Sequence, residues 1–436
     1  MAHLERATGP HTLTHSMNAT GKPVPSERTQ RLLHDPALPP LEIDFDDTRL
    51  AFAHRSDEEL RHARRLFRVM NNPRLVGLGS RLGAWAVRWR LPLAERVTLD
   101  TIYRQFVGGR TLLEVEGVAR ALAQRRVLSI LDYGAEGKND EAAYNLTMTE
   151  CIRAMEFASQ HESIPVVTTK ISGLASDELL ASLSSGSPLT EAEAKAYRGL
   201  TKRVDSLCHV ANERGVQLYI DAEESWMQPA IDKCVTTAML RYNRERAVIV
   251  NTFQLYRHDR LAALRAQHEE CRSRNVVLGA KLVRGAYLDK ERERAAERGY
   301  PDPIQPTKAA TDRDFDAAVD YCLDHLDDTE FVNASHNQRS AQLMIEGMAR
   351  RSVARDHPHT MLCQLYGMSD NLTFNLAEAG YRVGKYLPYG PVRDVVPYLV
   401  RRARENSSVT GEASRELRLI EREFARRASA RQGVAR

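Results

Sequence analysis

The sequence predicts an α/β protein, a distorted (β/α)8 barrel of the TIM type with a helical extension at its N-terminal side. Two observations carry that class. From about residue 127 onward, short continuous apolar runs alternate with amphipathic segments, and eight such units fit into roughly 300 residues, the count of a closed parallel barrel. Charged and hydrogen-bonding residues also gather where those runs end: around Lys170, at Asp221-Ala-Glu-Glu224, Gln254-Leu-Tyr256, Lys281 to Tyr287 and Ser335-His-Asn337, and at Tyr386 followed by Arg401-Arg402. Polar groups at the carboxyl ends of successive strands are how such a barrel assembles an active site.

Residues 1–40 are polar, rich in Pro, Ser, Thr and His, and are expected to be a disordered tail. They lack the apolar core of a signal peptide, and Glu5, Glu27 and Asp35 disfavour a transit peptide. Residues 41–125 read as helical. Asp57-Glu-Glu59 opens an apolar-periodic segment through Val69, and Leu112 to Val127 is a second one. The barrel is expected over 126–410. Its strands are expected at Val127–Asp132, Pro165–Lys170, Gln217–Asp221, Val248–Tyr256, Val276–Val283, Glu330–Asn333, Thr360–Leu365 and Arg382–Leu387. Buried parallel strands read as continuous apolar runs of this kind, not as alternating ones. Amphipathic stretches such as Glu191–Glu213 and Arg260–Arg274 supply the intervening helices. Gly390-Pro391 is a start signal for the last of these, but Pro397 removes a backbone donor and is expected to kink or restart it. A charged helix, about Glu412 to Arg427, is expected to close the chain within the segment 411–436.

Composition narrows the function. Hydrophobic residues make up 42% of the 436-residue chain, enough for a sizeable core, and the 6% aromatic content makes that core mainly aliphatic. A net charge of +4 with mixed signs argues against a nucleic-acid surface. Six dispersed cysteines without a CxxC pair suit a reducing cytoplasm and give no zinc or redox motif. No apolar run approaches the ~18 residues needed to span a bilayer. Gly77 to Gly83 is one residue too long for a dinucleotide fingerprint, and P-loop, nucleophile-elbow and HEXXH motifs are absent. No metal site is expected.

Within the strand-end clusters, Tyr398, Arg401, Arg402 and Glu405 are spaced to share one helix surface. Two adjacent guanidinium groups repel unless an anion lies between them, and a planar carboxylate is their natural partner. A solvated basic face is the competing reading, weakened by the nearby Tyr386, Tyr389 and Tyr398. Lys281 and Val283 share one strand face, Arg284 begins the loop, and Gly285 permits close approach of backbone to a ligand. Gln254 and Tyr256 could be ordinary wall residues. Asp221-Ala-Glu-Glu224 could hold a metal, work as paired acid and base, or pair with Lys170, and Glu224 suits a helix N-terminus. His336 has no second histidine nearby and is poor evidence for a metal.

Taken together these residues resemble the proline dehydrogenase family of FAD-dependent enzymes. The match rests on Lys281-Leu-Val-Arg-Gly-Ala-Tyr287, Gln364-Leu-Tyr-Gly-Met368, and Tyr386-Leu-Pro-Tyr-Gly-Pro391 continuing into Tyr398-Leu-Val-Arg-Arg402 and Glu405-Asn-Ser-Ser408. Weaker agreement comes from Phe106-Val-Gly-Gly109, Leu131-Asp-Tyr133, Lys170-Ile-Ser172, Asp221-Ala-Glu-Glu224 and Ala334-Ser-His-Asn337, in the family's order over roughly 100–410. The resemblance implies oxidation of L-proline to 1-pyrroline-5-carboxylate, with electrons passed to a quinone at the membrane. It implies that Arg401 and Arg402, helped by Lys170, bind the proline carboxylate, and that Tyr386, Tyr398, Tyr287 and Leu365 line the ring pocket. Asp221 would hold Lys170, and Glu136 would be the loop acid that pairs with the first arginine. Gln254, Lys281, Val283, Arg284 and Gly285 would contact the flavin, with Ser335, His336, Asn337 and Glu405 near its dinucleotide part.

A monofunctional enzyme is expected, working with a separate pyrroline-5-carboxylate dehydrogenase. It should be cytoplasmic, with peripheral contact at the inner membrane face in preference to a mitochondrial matrix location. Arg426-Arg427 would either touch anionic lipid or lie on a solvated face. Tyr386 favours proline over hydroxyproline, because relatives that oxidise hydroxyproline carry a smaller residue there. The alternatives are a hydroxyproline dehydrogenase and, in another class, a barrel glycosidase using Asp221 and Glu223. Colour separates the last two classes, since only a flavoprotein is yellow.

Overall fold

Eight apolar runs close on themselves. β1 (Val127–Tyr133), β2 (Val166–Thr169), β3 (Gln217–Ile220), β4 (Ile249–Gln254), β5 (Leu278–Val283), β6 (Thr329–Ala334), β7 (Thr360–Leu365) and β8 (Val383–Tyr389) pair in parallel in sequence order, and β8 returns to β1. The closing register sets Ile130 beside Tyr386 and Asp132 beside Pro388. All eight expected strands are present, with no end moved by more than two residues. The computed structural model of the chain describes residues 43–72, 74–77, 94–134, 140–408 and 411–434. The expected tail at 1–40 lies outside them, as does most of Gly77–Gly83.

Side chains alternate across the barrel wall because successive residues of a strand point to opposite faces. Ile130, Val166, Tyr219, Val250, Val332, Met361 and Tyr386 fill the interior. Their neighbours Leu131, Val167, Leu218, Ile249, Leu282 and Leu387 face outward into the core shared with the helices. In β5 this phase turns Leu278, Ala280 and Leu282 to the helix layer. It thereby commits Lys281, 5% exposed, to the inside of the barrel.

The main helices are α1 (Asp57–Met70), α2 (Leu112–Ala123), α3 (Glu141–Ala158), α4 (Glu191–Arg214), α5 (Gln228–Tyr242), α6 (Arg260–Ser273), α7 (Leu288–Arg298), α8 (Lys308–Asp324), α9 (Gln338–Arg350), α10 (Asp370–Glu378), α11 (Val392–Ser408) and α12 (Glu412–Val434), with a further helix at Asp177–Ser185 and shorter helical segments elsewhere. Ser56 and Glu59 form a reciprocal capping box at the start of α1, and Thr190 and Glu193 form another at α4. The barrel departs from regularity at its seam. α2, which precedes β1, packs on β1, while α10 contacts β7, β8 and β1. The site beside β1 is therefore filled before the chain completes the barrel, and α11 packs instead against α1, α12 and the turn Leu99–Tyr103. Of the two outcomes expected at Pro397, a kink or a restart, the restart does not occur: α11 runs continuously from Val392 to Ser408. Burial of Val392, Val395, Tyr398 and Leu399 in one cluster with Phe67 and Phe106 supplies the packing that outweighs one missing backbone bond.

The extension is bolted to the barrel through Asp370. Its carboxylate lies 2.9 Å from Lys385 Nζ, 3.0 Å from Arg55 Nη2 and 3.6 Å from His54 Nε2, with Asp370 and Lys385 both buried. Burial opposes ionisation of Asp370, but Lys385, Arg55 and His54 outweigh it and hold the carboxyl well below its ordinary range. At the other end of the chain, α12 turns back over α1. Arg427 donates to Asp57 Oδ1 at 2.6 Å, to the Phe52 carbonyl at 2.9 Å and to Glu423 Oε1 at 2.7 Å. Neither a lipid-facing nor a solvated role describes Arg427, which is spent inside the fold. Arg426 pairs with Glu423. No described helix is long and apolar enough to cross a membrane. All six cysteines are free, and all but Cys234 are buried.

Candidate active site

The carboxyl ends of the strands open into one large cavity of about 1460 Å3. Small-ligand pockets commonly hold about 300–1,000 Å3, so this space suits a large ligand and a small one together. Its lining includes Lys170, Asp221, Gln254, Lys281, Val283, Arg284, Gly285, Tyr287, Ser335, His336, Asn337, Leu365, Tyr386, Tyr398, Arg401 and Arg402. The residues singled out from the sequence thus meet in one place. Glu136 and the side chain of Glu405 lie outside the described residues.

Asp221 is the hub. Because β3 ends at Ile220, its side chain stands at the rim of the barrel interior. Lys281 Nζ donates to Oδ1 at 2.5 Å, Tyr386 Oη donates to Oδ2 at 2.8 Å, and Lys170 Nζ lies 3.7 Å from Oδ2. Burial opposes ionisation of Asp221, yet the Lys281 and Lys170 charges lower its pKa below the usual carboxylate value. Two lysines, Lys170 just past the end of β2 and Lys281 on β5, therefore share one carboxylate, and the tighter partner is Lys281. Burial raises the Tyr386 phenol well above its ordinary range, so it stays protonated as a donor. The Tyr386 hydroxyl also lies 3.0 Å from Thr168 Oγ1, which donates to Asp132 Oδ1 at 2.9 Å. Each hydroxyl gives its one proton to a carboxylate, Thr168 to Asp132 and Tyr386 to Asp221, so the Thr168–Tyr386 pair is a contact between two separate hydrogen bonds.

Glu223 does different work from Asp221. It is 3% exposed; the Ser172 backbone N–H donates to Oε1 at 2.9 Å, and the Ser172 hydroxyl donates to Oε2. This clamps the turn Ile171–Gly173, which begins immediately after Lys170. Burial pushes the Glu223 carboxyl up to about 7, against the Ser172 bonds and with the help of the neighbouring Glu224. Glu224 is not at a helix N-terminus, as α5 starts at Gln228; it is buried and paired with Lys290.

Several other side chains are held by protein partners. Arg284 is gripped by Asp312 Oδ1 at 2.8 Å, Ser335 Oγ at 2.6 Å and Ser340 Oγ at 2.9 Å, and its guanidinium stacks over Phe315. Gln254 donates to the Glu223 carbonyl at 2.7 Å and accepts from the Ala286 N–H at 3.2 Å, as a wall residue would. Gly285 adopts φ +148°, and a Cβ there would stand 2.4 Å from the Tyr256 ring. The close approach of the Tyr256 ring is by itself enough to require glycine here, on the wall of the cavity. Asn337 caps α9 by accepting the Ser340 N–H at 3.2 Å.

α11 brings Arg401 and Arg402 to the opposite wall of the cavity. The Arg401 guanidinium lies 5.9 Å from the Tyr287 ring centre, and that of Arg402 lies 5.6 Å from Tyr398. Neither arginine is aimed into bulk water. Sequence reasoning missed Thr168 as an interior group, although the period of β2 could have placed it. It also missed Arg415, on α12, which lines the cavity beside His336. Nothing in the sequence marks Arg415, because α12 reads as a plain charged helix.

Comparisons with known proteins agree with this fold. The proline dehydrogenase family model matches residues 115–415. The chain is 37% identical over 351 residues to the carbapenem antibiotics biosynthesis protein CarD of Pectobacterium carotovorum subsp. carotovorum, covering 80% of this chain and 91% of that one. It is 40% identical over 244 residues to proline dehydrogenase 1, mitochondrial, of Homo sapiens, covering 55% of this chain and 41% of the human protein. A hydroxyproline dehydrogenase of Xenopus laevis is 30% identical over 424 residues, covering 86% and 88%. Among solved structures, proline utilization A of Bdellovibrio bacteriovorus, inactivated by N-propargylglycine, superposes with a TM-score of 0.65 at 19% identity, covering 84% of this chain and 36% of that one.

Proposed function

The chain belongs to the proline dehydrogenase family of oxidoreductases, and from that premise we propose that it oxidises L-proline to 1-pyrroline-5-carboxylate, with FAD as hydride acceptor and a quinone as the final electron acceptor. The observation that carries the reading is the convergence of Arg401, Arg402 and Lys170 on the same cavity as the Asp221–Lys281–Tyr386 hub. Proline is a small zwitterion with little apolar surface, so its affinity must come mainly from its carboxylate. Two guanidinium forks and an ammonium group meet that need.

The cavity fits FAD in size and in charge. Burial and then Arg402, Arg415, Lys385 and Arg284 depress the pKa of His336, so the region around that neutral ring favours an anionic ligand. Lys281, Gln254, Val283 and Gly285 would hold the flavin ring. Ser335, His336 and Asn337, at the N-terminal end of α9, would lie near the dinucleotide part. Bound FAD supplies the acceptor for the hydride leaving the ring carbon next to the proline nitrogen. The chain's own contribution is orientation: Arg401 and Arg402 fix the carboxylate, while Tyr386, Tyr398, Tyr287 and Leu365 wall the ring and exclude water. Asp221 keeps Lys281 and Lys170 in place. The amino proton leaves separately from the hydride, so that C–H and N–H are both broken and a C=N bond forms.

A quinone would be reached by peripheral membrane contact, and a separate dehydrogenase would oxidise the product. Hydroxyproline is the second reading, favoured by the Xenopus relative. Against it stands Tyr386 itself, a bulky residue where the family resemblance implies a smaller one in relatives that oxidise hydroxyproline; its hydroxyl donates to Asp221. The test is an absorbance spectrum of the purified protein under anaerobic conditions, with proline and with hydroxyproline. A flavin band that proline bleaches faster than hydroxyproline is the expected result. A colourless protein, or a band indifferent to both amino acids, rejects the assignment, and faster bleaching by hydroxyproline replaces the substrate.

A further inference from the structure

Arg415 comes from α12, outside the barrel, and reaches the cavity wall. Its Nη1 donates to the His336 carbonyl at 2.8 Å, and its Nη2 donates to Ser369 Oγ at 2.9 Å. Ser369 Oγ in turn lies 2.9 Å from His336 Nδ1. The guanidinium is therefore fixed against the residue expected beside the dinucleotide. Its charge is poorly matched. Arg284 has Asp312, and Lys385 has Asp370, at hydrogen-bond distance. The carboxylate nearest Arg415 is Glu416, 3.7 Å away and already accepting the Ser369 backbone N–H at 2.9 Å. The Arg415 Nε–H is buried with no hydrogen-bond partner among the described residues. Nη1 and Nη2 each carry a second N–H beyond these bonds, and an anion in the cavity can accept from them. The N-terminal end of α9 at Asn337 lines the same part of the cavity and adds its own positive end.

We propose that Arg415 is a cofactor-binding residue that neutralises the phosphates of FAD, so that cofactor binding and docking of α12 are thermodynamically linked. The inference rests on the FAD reading above. Linkage is reciprocal: whatever α12 contributes to FAD affinity, bound FAD returns as stability of α12 on the barrel. The link passes through Ser369, a non-glycine residue at φ +51° whose N–H is held by Glu416 and whose hydroxyl is held by Arg415.

The test compares wild type, Arg415→Met and Arg415→Lys after removal of flavin and titration with FAD. Affinity is read by quenching of flavin fluorescence, and α12 docking by limited proteolysis. Loss of one charge-assisted bond predicts an FAD Kd raised about tenfold to a hundredfold in the Met variant, with Lys between. The salt dependence of the Kd should weaken in the Met variant, which a purely structural role does not predict. Saturating FAD should protect residues 412–434 from cleavage in wild type. Equal Kd values in wild type and the Met variant overturn the inference. So does a wild-type α12 that FAD fails to protect, a result independent of whether either variant folds. A wild-type protein that binds no FAD rejects the underlying assignment instead.

Discussion

At Glu223 a single buried carboxyl makes stability depend on pH near neutrality. Its pKa stands at about 7 in the folded chain, raised by burial above the ordinary value near 4.5. The folded state therefore binds this proton more tightly than the unfolded one. The resulting stabilisation is fully present below about pH 4.5 and is lost as pH rises through about 7, a span worth on the order of 3 kcal/mol. The groups facing it are Ser172, Glu224, Lys170 and Tyr287. Glu223→Gln should flatten the fall in stability between pH 5 and 8 measured by chemical denaturation; an unchanged slope assigns that fall to other groups. Arg402→Met tests the carboxylate grip. Removing one fork should raise the KM for proline about tenfold to a hundredfold while flavin stays bound. An unchanged KM moves the carboxylate elsewhere.

The clearest lesson among the elements is α11. Its apolar spacing and the Gly390-Pro391 start were legible, and so was the pairing of Arg401 with Arg402 on one surface. Its continuity through Pro397 was not, because the cost of a proline is local whereas Val395, Tyr398 and Leu399 gain their burial from Phe67 and Phe106, far away in sequence. Strand ends were similarly readable to within a residue or two. The run after β3 shows the limit: Asp221, Glu223 and Glu224 look alike in sequence. They part company only where Lys281, Ser172 and Lys290 approach from other elements. The turn after β7 adds a position that only contact explains. Gly367 has φ +81°, and a Cβ there would lie 1.9 Å from the Gln105 carbonyl oxygen of the extension.

At the scale of the whole molecule, the extension and the C-terminal helix are part of the site's support. Asp370 ties Arg55 and His54 of the extension to Lys385 of β8. Breaking a buried ionic cluster by removing its one carboxylate leaves uncompensated charge. Asp370→Asn should accordingly cost about 3–5 kcal/mol, seen as a lower denaturation midpoint. A midpoint equal to that of wild type would mean the cluster is solvated in solution. α12 closes over the same region, through Arg427 on Asp57 and the Arg55 carbonyl and through Arg415 on His336 and Ser369.

By itself the sequence determined the barrel, its strand order and most of the residues that face its mouth. Those follow from local periodicity, which the solvent preference of each side chain enforces along the chain. Only the tertiary structure decided which charge neutralises which: that Lys281 takes the larger share of Asp221, that Arg284 is spent on Asp312, and that Arg415 arrives from the far end of the chain. The physical reason is that electrostatic pairing depends on distance in space and on burial, and neither is written in the spacing of residues along a chain.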